Sequence, residues 1–145
     1  MNLTFRLAVE GDGDKVFLWR NNETVRRASL DSGEITLDEH RDWFRSSLID
    51  TSRSMLIAED AGTPVGVLRF DVVGDVAEIS IFLDPDRLGR GYGTEMLRKG
   101  ADWVRQNLSG IATLRAKVKS DNPMSSRTFE KSGFVEVWRV YERNI

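Results

Sequence analysis

Hydrophobic and polar positions change period several times along the chain, and each change marks an element. Leu3, Phe5 and Leu7 alternate with polar residues, the period-2 pattern of a half-buried strand. Gly11-Asp12-Gly13-Asp14 breaks that alternation and opens a helix through Val16, Phe17, Leu18 and Trp19. Asn21-Asn22 interrupts the helix, and a short second piece runs through Val25. Thr36-Leu37-Asp38-Glu39 has the form of a capping box, in which Thr36 caps the amide of Glu39 and Glu39 reaches back. The helix it opens carries His40, Phe44, Ser47 and Leu48 on one face, with Trp43 at its border.

From Ser54 the period shortens to two. Met55–Ala58, Val65–Phe70 and Val76–Leu83 read as three strands, joined by turns at Gly62-Thr63-Pro64 and Gly74-Asp75. Connections this short imply an antiparallel meander. A helix from about Gly91 to Leu108 follows, striped by Leu97, Ala101, Val104 and Leu108; Ile111–Val118 is then a strand. Asn122-Pro123 supplies an N-cap and a proline at the first helical position, and Gly133 marks the stop of that helix. Phe134–Tyr141 reads as a last strand. The order β, α, α, β, β, β, α, β, α, β predicts an α/β (α+β) domain, a mixed sheet with helices on both faces.

Composition narrows the function classes. The 145 residues fit one domain, and 40% hydrophobic with 30% charged residues is the balance of a globular protein. A formal net charge of −2, with Lys and Arg scattered, gives no basic face for nucleic acid. No run approaches the roughly 18 apolar residues of a membrane span, and the first residues lack the pattern of a signal peptide; a cytoplasmic protein is expected. The absence of cysteine removes a thiol nucleophile and thiolate metal sites, and a single histidine, His40, removes a multi-His centre, so no metal is expected.

Gly89, Gly91 and Gly93 recur at every second position between a strand and a helix. Glycine there permits positive φ and close approach of a ligand to the backbone, and the amides of the following helix then converge on one spot. That is an anion site suited to a pyrophosphate. The spacing is neither G-x-G-x-x-G nor a P-loop; a plain tight turn is the alternative. The whole run from Ile79 to Leu97 resembles the central motif of the GNAT N-acetyltransferase superfamily, in which a strand, a Pro-containing turn and an R/Q-x-x-G-x-G/A loop hold the coenzyme A pyrophosphate. Asn122-Pro123-Met124-Ser125-Ser126-Arg127-Thr128-Phe129-Glu130-Lys131-Ser132-Gly133-Phe134 resembles the second signature of that superfamily. Two positions depart from the pattern: Leu88 stands where the loop motif opens with Arg or Gln, and Phe129 stands where a tyrosine often protonates the leaving thiolate.

The resemblance implies a single GNAT domain over residues 1–145, with a mostly antiparallel sheet of six to seven strands and about four helices. Residues 1–52 would form the acceptor side and 53–145 the acetyl-CoA-binding core. Implied coenzyme contacts are Ile81, Phe82 and Leu83, then Leu88, Gly89, Arg90, Gly91, Tyr92, Gly93 and Thr94, and beyond them Asn122, Ser125, Phe129 and Lys131.

Moving an acyl group from a thioester to an amine needs a neutral amine, donors to the developing oxyanion and a proton for the thiolate. Without cysteine, direct attack by the amine is the simplest route. Ala77, Ile79, Ile81 and Leu83 form one face of their strand, and Glu78 shares the other with Ser80. A carboxylate in a middle strand is often partly buried, which improves it as a base; a plain ion pair is the alternative. Ser125 is the candidate donor to the thiolate, or only part of a helix cap. Tyr92 is a weaker candidate for the acid, since its position suggests packing beside the loop.

The N-terminal motifs Trp19-Arg20-Asn21…Val25-Arg26 and Glu39-His40…Trp43-Phe44 resemble those of acetyltransferases acting on bacterial nucleotide-linked amino sugars of the pseudaminic-acid type. This implies a small-molecule amine as partner, with Arg20, Asn21, His40 and Trp43 binding it, and a homodimer as an open assembly. Against it stand a helical core for the aromatics and His40, and surface roles for the arginines. Acetylation of protein N-termini of the ribosomal type, and a non-catalytic acyl-CoA-binding module, are the alternatives.

Overall fold

The meander is the spine of the molecule. A computed structural model covers Met1–Ile145. Strands β1 (Leu3–Leu7), β2 (Arg53–Asp60), β3 (Thr63–Val73) and β4 (Val76–Leu83) pair antiparallel in that order, and β5 (Thr113–Arg115) adds to β4 in parallel. The β2–β3 and β3–β4 turns place Gly62 and Gly74 at φ +85° and +61°, a conformation in which a Cβ would be strained.

The helices divide between the faces. α4 (Tyr92–Asn107) and α5 (Pro123–Lys131) cover one face, where Leu56, Leu68, Phe70, Ala77 and Ile79 meet Met96, Leu97, Val104 and Phe129. Gly100 of α4 lies so close that a Cβ would stand 2.7 Å from Leu68 Cδ1. On the other face, α1 (Gly13–Asn21), α2 (Glu23–Ala28) and α3 (Leu37–Ile49) bury Val16, Trp19 and Phe44 against Met55, Ile57 and Val67. The capping box forms as expected: Glu39 N–H donates to Thr36 Oγ1 at 3.1 Å, and Thr36 N–H to Glu39 Oε2 at 3.4 Å. The buried residues of α3 are His40, Phe44 and Ser47.

The sheet has five strands, not six or seven, and the helices number five, not four. The expected strand Ile111–Val118 shrinks to Thr113–Arg115, because the chain leaves β4 after the pair Glu78–Arg115. Phe134–Tyr141 forms no strand and pairs with none, and Val135, Val137, Trp138 and Tyr141 are 74–86% exposed. Alternation alone does not make a strand; a partner edge has to lie alongside. No helix is long and apolar enough to cross a membrane.

Candidate active site

Two features converge at the C-terminal end of β4. The first is the loop that carries the chain from β4 into α4. Asp84 N–H donates to the Val65 carbonyl, the Asp84 carboxylate accepts from Asp86 N–H, and Pro85 begins a 3₁₀ turn through Arg87. Gly89 and Gly91 then take φ +73° and +85°. Gly91 is the N-cap of α4 and has no side chain to accept the first amides. The N–H groups of Tyr92, Gly93 and Thr94 find no carbonyl in the protein, as the first turn of an uncapped helix requires. Nothing lies within 4 Å of where a Cβ would stand on Gly89 or Gly91. At Gly93 a Cβ would meet Thr128 Cγ2 at 3.2 Å, so this glycine serves the α4–α5 contact. Leu88 and Arg90 are exposed at the rim.

Tyr92 anchors the loop. Its ring is buried and its hydroxyl donates to Asp60 at the end of β2, while Arg87 donates to the same hydroxyl at 3.4 Å. The Tyr92 hydrogen bond, then that from Asn2 N–H, holds the Asp60 carboxyl below its ordinary range.

The second feature is the free edge of β4. Asp84 N–H points to β3, so alternation along the strand turns the N–H groups of Ile81 and Leu83 the other way. On that side β5 ends its pairing at Arg115, and no strand covers Ile81–Leu83. The side chains of Ile81 and Leu83 pack into the core under α4, whereas Phe82 packs on the opposite face. The free β4 donors and the α4 amides, at the two ends of the β4–α4 loop, define the candidate cleft.

α5 borders this cleft less directly. Asn122 Oδ1 accepts from Ser125 N–H at 3.1 Å, which leaves the half-buried Ser125 hydroxyl without a protein partner. Phe129 is a core residue: it is 7% exposed and meets Phe134 edge-on at 5.1 Å. Lys131 is exposed, and its carbonyl accepts from Arg98. The structure therefore brings Gly89–Thr94, Ile81 and Leu83 together and places Phe129 and Lys131 as support.

Glu78 lies on the face away from α4, opposite Asp71 of β3 and Arg115 of β5. It is more open than a middle strand suggests: its side chain is 38% exposed, and the Lys117 ammonium stands 3.5 Å away. The three-residue length of β5 is what opens it.

On the same face lies a cluster from four elements, α1, α3, β2 and β3. The Trp43 ring is met by Arg20 at 4.2 Å, Arg69 at 5.5 Å and Arg53 at 5.7 Å from its centroid. Arg53 donates to Asp71 and to Ser47 Oγ at 2.8 Å; Arg69 donates to Asp71 at 3.0 Å and to Ser80 Oγ at 3.3 Å. Arg20 has only His40 Nδ1, at 3.5 Å. His40 is fully buried, among the rings of Phe17, Trp43 and Phe44, and its Nε2 lies 2.9 Å from the Gly13 carbonyl. A carbonyl only accepts, so Nε2 carries the hydrogen and Nδ1 accepts from Arg20. Burial, with the Arg20 charge added, holds His40 below its ordinary range. His40, expected to touch substrate, is thus a core residue that positions Arg20. Asn21 is likewise engaged inside: its side-chain oxygen accepts from Ile35 N–H and its carbonyl from Arg26 Nε. Of the four expected substrate contacts, His40 is withdrawn into the core, whereas Arg20, Asn21 and Trp43 are half-buried.

Sequence reasoning overlooked Arg53, Arg69, Asp71 and Lys117. The signal was present: Arg69 and Asp71 alternate with the inward Leu68 and Phe70, so they share the face of Glu78.

Comparison with known proteins fits this geometry. Residues 2–135 match the family described as the acetyltransferase (GNAT) domain. The Bacillus subtilis (strain 168) protein YwnH, named for phosphinothricin acetyltransferase activity, is 29% identical over 96% of this chain and 87% of its own length. The crystal structure of spermidine N-acetyltransferase from Vibrio cholerae, with CoA and spermine, superposes with a TM-score of 0.89 at 21% identity over 99% of this chain and 87% of that one. An aminoglycoside acetyltransferase with coenzyme A and kanamycin gives 0.81 at 22% identity over 92% and 84%. With its uncapped glycine loop, its open β4 edge and a family match over nearly its whole length, the chain belongs to the GNAT acetyltransferase family.

Proposed function

We propose that the chain transfers the acetyl group of acetyl-CoA directly to a primary amine of a small molecule, with nucleotide-linked amino sugars as the first acceptor class to test. The observation that carries this is the glycine loop at the α4 N-terminus facing the uncovered edge of β4, with Glu78 on that same strand. The residues present suit the coenzyme: open space where a Cβ would stand on Gly89 and Gly91, and amides without partners beside it. When bound, acetyl-CoA supplies the activated acetyl group. The amides of Tyr92, Gly93 and Thr94, backed by the helix dipole, hold a pyrophosphate. Ile81 and Leu83 N–H orient what lies along β4. Glu78 accepts the proton that the amine sheds, directly or through one water, and the Ser125 hydroxyl donates a hydrogen bond to the departing thiolate, which leaves as the anion or takes its proton from solvent. In this scheme residues 53–145 hold the coenzyme. Residues 1–52 supply the acceptor side, joined there by Arg69 and Glu78 from the sheet.

The small-molecule half is supported by relatives named for phosphinothricin, spermidine and aminoglycosides. The amino-sugar half rests on the Trp19-Arg20-Asn21 and Glu39-His40…Trp43 motifs and on the two members of them, Arg20 and Trp43, that face the acceptor side. Mass spectrometry after incubation with acetyl-CoA and a panel of amino-sugar nucleotides, small amines and N-terminal peptides tests it. Gain of one acetyl group on small amines, abolished in Glu78→Gln, is expected. Acetylation of peptides alone would replace it with protein N-terminal acetylation. Coenzyme binding with no acceptor turned over would leave an acyl-CoA-binding module.

A further inference from the structure

The charge around Trp43 does not balance. Three guanidinium groups, Arg20, Arg53 and Arg69, surround one ring, and one carboxylate, Asp71, serves two of them. Arg20 has no carboxylate within ion-pair distance, and Asp31 acts on it only through space. Its one hydrogen-bond partner is the neutral His40, which contributes no charge. Burial, and after it the charge of Arg69, pushes Arg20 below the usual guanidinium range. Like charges facing one another in a partly desolvated site are unfavourable until an anion joins them. The donors are also well suited: Arg20 lies 4.2 Å from the Trp43 ring centroid with a single hydrogen-bond partner, so N–H groups of its guanidinium remain for a planar or tetrahedral oxyanion.

The position ties this charge to the transfer site. Ser80, which Arg69 grips, stands two residues from Glu78 on the same face of β4, a separation of about 7 Å along a strand. That is the span between an amino group and an acid group within one small molecule.

We infer that Arg20 and Arg69, set against the Trp43 ring, form the anion-binding half of the acceptor pocket, so that the amine acetylated here carries a carboxylate or phosphate. This rests on the acetyl-transfer reading above, with Glu78 as the base. The pocket discriminates by charge: an acidic amine is drawn in, whereas a polycation such as spermidine or kanamycin meets Arg20, which no carboxylate pairs, beside Arg69, which shares Asp71 with Arg53. Carboxylate and phosphate share the recognising chemistry, and the acceptor panel separates them.

The test compares initial rates for an amino-sugar nucleotide and glutamate, as phosphate-bearing and carboxylate-bearing amines, with spermidine and kanamycin. Each is run on the wild type, Arg20→Met, Arg20→Lys and a surface control, Arg27→Met, whose partner is Glu23 on the exposed side of α2. At least one acidic amine should be acetylated at least about 100-fold more efficiently in kcat/KM than either polycation. Arg20→Met should raise its KM roughly 10- to 100-fold, the loss of a charged hydrogen bond, with a smaller fall in kcat. Arg20→Lys should recover part of the affinity, and Arg27→Met should match the wild type. Equal efficiency on polycations, or an unchanged KM in Arg20→Met, would overturn the anion site while leaving acetyl transfer intact. A separate arm does not depend on turnover: inorganic phosphate and each acidic amine are titrated while the indole N–H signal of Trp43, the ring beside Arg20, is followed by NMR. A saturable shift that is absent in Arg20→Met supports the site even if no acceptor is turned over. No shift with any anion overturns it.

Discussion

Replacing Gly91 by alanine separates the glycine loop as a ligand cradle from the loop as a mere turn. Gly91 sits at φ +85°, ψ 0°, and an L-residue in that left-handed conformation costs about 1–2 kcal/mol. Nothing in the protein lies within 4 Å of the new Cβ, so no steric contribution adds to the strain. The melting temperature should therefore fall by only about 3–6 °C for a domain of this size. The methyl group, however, would occupy the space in front of the Tyr92, Gly93 and Thr94 amides. Gly110 supplies the control, because it is also left-handed, at φ +73°, also open around its Cβ, and remote from the loop in sequence. Gly110→Ala should lose a similar amount of stability. Differential scanning fluorimetry with and without acetyl-CoA reads both effects. At about 100 times its dissociation constant the coenzyme adds roughly 2.7 kcal/mol to the wild type. Gly110→Ala should retain that gain and Gly91→Ala should lose most of it. A full coenzyme shift in Gly91→Ala would mean that the loop does not hold the pyrophosphate.

Three further outcomes follow from the site and the core. Glu78→Gln should lower kcat by about 10²–10⁴-fold, the range for loss of a general base, while the coenzyme-induced melting shift stays as in the wild type; a kcat within a factor of two would remove Glu78 from the chemistry. Gly66→Ala should destabilise by about 1–3 kcal/mol, since its Cβ would stand 2.8 Å from the Phe82 carbonyl oxygen, and by displacing β4 it should weaken coenzyme binding too, both read from one set of melts. His40, held below its ordinary range mainly by burial, is neutral in the folded protein and takes up a proton more readily when unfolded. Stability should then be complete above about pH 6.5 and fall as pH drops below that value, by at most about 1.4 kcal/mol per unit. Urea melts at pH 7.5 and 5.5 should show this fall in the wild type and a smaller one in His40→Gln; equal slopes would assign the acid sensitivity elsewhere.

What was legible in the sequence is what local chemistry decides. β4 runs over Val76–Leu83 as its alternation and the flanking Gly74-Asp75 and Pro85 indicate. Thr36 and Asn122 cap α3 and α5 because their side chains reach the amides three residues on. Gly133 ends α5 at φ +92°. What was not legible depends on partners remote in sequence. Phe134–Tyr141 alternates like a strand, but the edge it would need is not beside it. His40 has the spacing of a core residue and the chemistry of a ligand; only Gly13 and Arg20, held at its two ring nitrogens, decide between them. The Trp43 cluster draws Arg20, Arg53 and Arg69 from three elements, and no window of sequence contains them all.

The tie between Tyr92 and Asp60 has a consequence for the order of folding. Asp60 also accepts from Asn2 N–H, and Lys99 of α4 donates to the Leu3 carbonyl, 96 residues earlier. The loop between β4 and α4 is therefore held at its base by the first strand of the chain, although the two are far apart in sequence. Contacts of such separation close late, because the intervening chain must be ordered first. The glycine loop is therefore expected to reach its final shape only after β1 has docked. A ligand of that loop should then slow unfolding in proportion to its occupancy and leave the refolding rate almost unchanged.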